Sequence, residues 1–424
     1  MSTIDNLLDG IPLPRMVKVR QSFDRPVIAD PERELINRLR AKGVLSRMRK
    51  GMSIAVTVGS RGISNQPLMV KTLIRELKAA GAEPFIIPAM GSHAGATSAG
   101  QRGMLEGMGF TEEAMGAPIR ATMDTVVIGT TANGLPVNID RYAFEADGIV
   151  IINRVKPHVA FRGPYESGLM KMLAIGLGKQ RGADICHELG FGKMAENIPA
   201  IGKVVLDSGR VLFAVGSVEN AYHETCKIEV LAPDEVATEE PKLQAEAKRL
   251  SPKLHFDALD VLIIDEIGKD ISGTGFDTNV VGRYHTPFIS GGPSITRVAV
   301  LDITDVSHGN GNGLGIVDFT TRRAYGKFDF ENTYPNSLTS TVPMSVKIPM
   351  VLKSDKQAMQ AAVKTCNILD KSKVRFVRIK NTVSLGEIEV SESLLDEVRA
   401  NPYLAIVPGS EPKAFTFDEA GNLL

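Results

Sequence analysis

The sequence predicts an α/β protein of two domains, each a mainly parallel sheet flanked by helices, with the active site in the interdomain cleft. Three observations lead there. Short apolar, β-branched runs alternate with segments whose apolar residues recur at helical spacing. The short runs are apolar throughout, as strands covered on both faces are. Two apolar blocks of similar size flank a polar, charged stretch at 231–257, which puts the break near residue 250. The expected division is an N-terminal domain over 1–250, a C-terminal domain over 251–394, and a tail over 395–424 free to pack back on the first. A length of 424 residues suits two cores.

Taken in order, SIAVTV at 53–58 reads as a strand ending at Gly59-Ser60-Arg61-Gly62. The next segment places Leu68, Val70, Leu73, Ile74 and Leu77 at helical spacing. Gly81 supplies the left-handed stop, and EPFIIPAM follows as a strand that breaks at Gly91-Ser92-His93-Ala94-Gly95. Further strands are expected at 146–155, 209–218, 258–268, 296–306 and 374–382. The tail opens with a helix entry and ends in a strand-like YLAIV.

Composition removes whole classes of function. Lys plus Arg is 49 and Asp plus Glu is 49, so no net field attracts a phosphate backbone or an anionic bilayer, and neither nucleic acid nor membrane is an expected partner. The opening MSTIDNLLDG lacks the basic start and apolar centre of a secretory leader, so a cytoplasmic location is expected. Three cysteines, at 186, 226 and 366, have no CxxC spacing and form neither a disulfide framework nor a thiolate zinc site. No GxSxG elbow or HExxH helix is present.

In open α/β sheets ligands bind where strands end and helices begin. Three post-strand turns carry charged or titratable side chains: Arg61, His93 and His158. Arg61 offers a planar fork of donors to a phosphate or carboxylate, or pairs with a nearby acid. His93 and His158 titrate near neutrality, and structural roles are equally open to them. Lys171 sits in the apolar run SGLMKMLAIGLG, a setting that favours the neutral amine; a lysine snorkelling from an amphipathic helix is the plainer reading. Sixteen residues separate it from His187, which an unbroken helix would hold about 24 Å away. Gly176, Gly178 and Gly182 are where a reversal would occur, and His187 is then one nitrogen ligand for a metal whose other donors come from elsewhere. The run Gly309 to Gly315 lacks both P-loop and dinucleotide spacing and reads as a flexible loop.

The ordered set VGSRGIS, AMGSHAGAT, Pro157-His158, Ser167-Gly168-x-x-Lys171 and His187 resembles the nickel-dependent lactate racemase family, most clearly over 50 to 190. The resemblance implies a nickel pincer nucleotide, a pyridinium mononucleotide holding nickel through two sulfurs and a ring carbon. It also implies Lys171 as the thioamide tether, His187 as the fourth nickel ligand, and His93 and His158 as the paired acid and base. Ser60 and Arg61 would hold an anionic group of cofactor or substrate. The implied activity is racemisation or epimerisation of a 2-hydroxy acid, with cofactor-biosynthesis enzymes as partners.

Departures from the family concern the substrate. Where lactate racemases carry a Gln and a Lys in the second domain, this chain has Asn279 and Arg283, and it contains no tryptophan. A 2-hydroxy acid other than lactate is therefore expected. The alternative is a sensor or carrier of the same fold that binds a small anion without turnover.

Overall fold

The computed structural model describes residues 2–60 and 62–424. The chain forms two compact units, Asp24–Ser251 and a second that joins Met1–Phe23 to Pro252–Leu424. The first strand, β1 (Met16–Gln21), thus belongs with the second unit.

The unit Asp24–Ser251 holds β2 (Ser53–Val58), β3 (Glu83–Pro88), a separate antiparallel hairpin of β4 (Thr125–Thr130) and β5 (Pro136–Asp140), then β6 (Gly148–Arg154), β7 (Val211–Glu219) and β8 (Thr225–Leu231). Its five-stranded sheet runs β3-β2-β6-β7-β8, parallel except for β8. Ile54, Val56 and Val58 on β2 pack with Leu73, Ile74 and Leu77 of the helix Gln66–Ala79. Burying each such side chain contributes roughly 1.5–3 kcal/mol. That helix ends at Ala80, and Gly81 beyond it has φ 92°, the left-handed turn glycine adopts without strain. The chain leaves β2 to one side for β3 and returns on the other as β6. The crevice between β2 and β6 at their carboxyl ends is therefore where an α/β sheet binds its ligands.

The second unit contains β9 (Ala258–Ile267), β10 (Ser294–Ile303), β11 (Phe319–Thr321), β12 (Met350–Leu352), β13 (Phe376–Ile379), β14 (Glu387–Ser391) and β15 (Leu404–Ile406). The sheet order is β12-β11-β10-β9-β13-β14-β1-β15. Its β12 to β13 half is parallel and the rest antiparallel. Val261 and Ile263 bury one face against Met359 and Val363, whereas Leu262 and Ile264 bury the other with Phe276 and Val280. That two-sided burial is why β9 reads as an unbroken apolar run.

The observed division differs from the expected one at both ends of the chain. The tail strand β15 pairs with β1 in the second sheet instead of packing on the first unit, and β1 lies between β14 and β15. A strand donated from the start of the chain gives the tail its partner, a pairing across hundreds of residues with no local signal.

Candidate active site at the carboxyl ends of the parallel strands

Three loops leave the sheet of Asp24–Ser251 side by side. After β2, Gly59 is buried, and a Cβ there would lie 3.4 Å from Met172 Cε. Ser60 Oγ then hydrogen-bonds His93 Nδ1. Arg61 lies outside the described residues.

After β3 the backbone turns at Gly91, with φ 57°, whose N–H donates to Gly176 O at 3.4 Å. A Cβ on Gly91 would meet Ile175 Cγ2 at 3.0 Å, so close packing adds to the need for glycine. His93 follows, half-buried, and Ala94 and Ala96 both stand at positive φ, 56° and 52°. Left-handed alanines carry strain that surrounding structure must hold in place. Gln101 does part of that, donating from Nε2 to Gly91 O at 2.9 Å and His93 O at 3.4 Å.

After β6 the loop carrying His158 is fastened by a buried carboxylate. Glu166 accepts from His158 N at 2.8 Å, and Lys248 Nζ lies 2.6 Å from its other oxygen. The His158 ring packs on Phe161, centroids 4.5 Å apart. Its Nδ1 accepts the backbone N–H of Ala160 at 3.1 Å, and its Nε2 lies 2.6 Å from Lys171 Nζ.

Lys171 ends a single helical turn, Leu169–Lys171, that runs into a π-turn over Met172–Gly176. Such widened turns are frequent at functional sites. Glu240 Oε2 accepts from Met170 N at 2.8 Å, and a Cβ on Gly168 would collide with Glu240 Oε1. Burial pushes the Glu240 carboxyl up to about 7 against the two backbone donors that lower it. The helix Lys179–Glu188 then starts at a residue with φ 55°, so the direction changes between the amine and His187 as the glycine spacing predicts. Lys171 is close enough for its charge to help depress the His187 pKa, whose main cause is burial. Phe191 lies against both imidazoles, its centroid 6.0 Å from that of His158 and 5.6 Å from that of His187.

His187 is suited to bind a metal as one neutral nitrogen. Its Nδ1 donates to Ala183 O at 2.7 Å, which leaves the lone pair on Nε2. The adjacent Cys186 thiol is pushed up to about 12 by burial and supplies no thiolate at neutral pH. Among the described residues no group of three or more His, Cys, Asp or Glu gathers to hold a metal ion. A metal at His187 would have to bring its remaining donors with it, which is what the implied nickel pincer nucleotide does.

The sequence reading missed a buried ion pair beneath this site. Lys179 and Asp140 are both fully buried, Nζ to Oδ2 2.8 Å. The same ammonium donates to Pro88 O at the end of β3 and to Gln101 Oε1 at 3.4 Å. Burial draws each partner toward its neutral form while each holds the other charged. The available signal was a lysine directly after Leu-Gly in an apolar run.

Asn279 and Arg283 lie in the second unit. Asn279 Nδ2 donates to Asp277 Oδ1 at 2.9 Å, beside the short helix Thr278–Val281. Arg283 donates to Ile295 O and Thr296 O at 3.1 and 2.8 Å and pairs with Asp318 at 3.0 Å. Those carbonyls belong to the first residues of β10, at its amino end, so the expected substrate contact by Arg283 gives way to a structural clamp. The glycine run also has a packing role. Cβ atoms at Gly311, Gly313 and Gly315 would collide with Phe328, Thr274 O and Met344 O.

Comparison with known proteins bears on the family profile and the fold. Residues 20–197 match the family profile described as lactate racemase N-terminal domain. The fold resembles that of the lactate racemase apoprotein from Thermoanaerobacterium thermosaccharolyticum, 13% identical with a TM-score of 0.52, over 87% of this chain and 99% of that one. A crystal structure of a protein from Thermotoga maritima is similar at 14% identity and a TM-score of 0.51, over 86% and 99%. At such identities the likeness is one of fold. No curated protein matches the sequence. Among the described residues no helix is long and apolar enough to cross a membrane.

Proposed function

We propose that this chain, whose residues 20–197 belong to the lactate racemase N-terminal domain family, is an isomerase that inverts C2 of a 2-hydroxy acid other than lactate with a nickel pincer nucleotide. The observation that carries the reading is the grouping of His158 and His187 around Phe191, with Lys171 Nζ 2.6 Å from His158 Nε2, at the end of a parallel sheet. Lys171 would tether the cofactor and His187 Nε2 would ligate its nickel, and Ser60 and Arg61 are the residues assigned to an anionic group of the cofactor or substrate. When bound, that group supplies the hydride acceptor through which the substrate becomes a planar 2-keto acid.

The rest is proton handling by this chain. One histidine takes the hydroxyl proton and the other returns a proton on the opposite face. Two are required because a single base reaches only one enantiomer's hydroxyl, and each must come within about 2.6–3.2 Å of it. Ser60 orients His93 through Nδ1, which assigns the exchange to Nε2.

The test is co-expression with the enzymes that build the cofactor. A mass increase on the Lys171 peptide, stoichiometric nickel, and inversion of at least one member of a panel of enantiopure 2-hydroxy acids are expected. An unmodified Lys171 with tight anion binding and no inversion would replace the isomerase by the binding protein.

A further inference from the structure

One buried amide has a use for each of its polar hydrogens. Gln101, fully buried on the helix Ser98–Gly107, stands between Lys179 and the loop that carries His93. An ammonium has three donors and no acceptor. Those of Lys179 go to Asp140 Oδ2, Pro88 O and Gln101 Oε1, so the oxygen of the Gln101 amide faces the lysine. Its nitrogen faces the other way, and the two hydrogens meet Gly91 O at 2.9 Å and His93 O at 3.4 Å. A flipped amide would set its oxygen against two carbonyl oxygens that cannot donate. The side chain is therefore a one-way bridge from the buried ion pair to the loop. That loop needs holding, because Gly91, Ala94 and Ala96 all stand at positive φ. The helix bearing Gln101 lies directly on it, since a Cβ at Gly100 would collide with Ala94 O.

We propose that Gln101 is a positioning residue for His93: through its amide the Lys179–Asp140 pair sets where the loop after β3 presents the imidazole, and so how well one enantiomer of the substrate loses its hydroxyl proton. This rests on the reading of His93 as one of two proton carriers. In that reading each histidine takes the proton of one enantiomer only. An error in the His93 loop therefore falls on a single enantiomer in the first half-reaction, the conversion of hydroxy acid to keto acid, whereas a general loosening of the fold slows both. A misplacement of 1 Å costs up to about 10²-fold in rate. Gln101 acts at one remove, since its donors end on the backbone on either side of Ser92 and reach the imidazole only through the chain.

Two measurements test this. In the chain purified without the cofactor enzymes, Gln101→Met keeps the length of the side chain and removes its donors, and Gln101→Glu keeps an oxygen toward Lys179 but gives up the amide hydrogens. Hydrogen exchange over 91–97 is expected to speed up by about tenfold or more in both, with 53–58 and 148–154 as protected as in the parent. In the loaded enzyme, single turnovers quenched with acid and assayed for keto acid are expected to show Gln101→Met slowing one enantiomer by about tenfold or more and the other by less than about twofold. The enantiomer affected is the one that His93→Gln slows. Unchanged exchange at 91–97 in both variants, or equal slowing of the two enantiomers, would overturn the inference. A one-sided loss in His93→Gln without one in Gln101→Met overturns it too and leaves the proposed reaction standing. If His93→Gln is itself not one-sided, the role of His93 falls and the positioning role with it, while faster exchange at 91–97 still records the bridge.

Discussion

Single side chains decide the chemistry, and two of them sit on strained or crowded backbone. His93→Gln should leave the fold intact and lower kcat of the loaded enzyme by about 10²- to 10⁴-fold, the usual contribution of one well-placed acid or base; chiral chromatography of the product reads it. Lys179→Met should be costlier to stability than to chemistry, because it strands a buried Asp140 carboxylate. A loss of about 3–5 kcal/mol in urea unfolding is expected, partly recovered by adding Asp140→Asn. Glu240 gives a pH dependence with a defined sign. Its carboxyl is raised from 4.5 to about 7 in the fold, so its contribution is full below about pH 4.5 and is lost as pH rises through 7. The loss amounts to a few kcal/mol. Glu240→Gln should flatten that decline, so that the variant is more stable than the parent at pH 8 and not at pH 4.5, as urea midpoints at the two values will show. His93 and His158 were legible as post-strand titratable residues, and Lys171 as a lysine inside an apolar run. Glu166, Glu240 and Lys179 were not, because a charged residue in a sequence reads as solvated unless its burial is seen.

At the scale of elements, the reversal between Lys171 and His187 was legible in its glycines but its form was not. A π-turn and a left-handed lysine replace the simple break, and both follow from contacts no local pattern encodes. Gly176 is pressed against Ala89 O, 2.8 Å from where a Cβ would sit. Gly176→Ala should therefore push the π-turn off the β3 loop, costing about 1–3 kcal/mol, which a lowered urea midpoint will show. The strands buried on both faces, β2, β3, β6, β7, β9 and β10, fall within a few residues of their predicted spans because continuous apolar runs have few other uses. β15 falls within the strand-like YLAIV of the tail, whereas β1 and β14 were unreadable, since MVKVRQ and EIEVS mix charged and apolar residues at a length any loop can match. Arg283 shows the converse error. It was singled out only by its place in the resemblance to the family, and its donors meet carbonyls near the start of β10.

Across the whole molecule, each unit has its own core and sheet, as two apolar blocks predicted, yet the cut in space is not the cut in sequence. Residues 1–23 complete the sheet of the second unit, where β1 bridges β14 and β15. Removing residues 1–23 should strip β15 of its partner strand and expose the edge of β14. Hydrogen exchange would then speed up across 387–391 and 404–406 while 53–58 and 148–154 keep their protection. Equal protection at all four segments would show that β1 is dispensable.

That threading has a consequence for the nascent polypeptide. At about 5–20 residues per second, β1 emerges from the ribosome on the order of 20–70 s before the strands that flank it exist. Meanwhile the intervening unit can close around its own apolar residues. The earliest-made strand is among the last to dock, so a chaperone that shields a short, partnerless N-terminal segment should raise the yield of folded protein more than one acting on the finished chain.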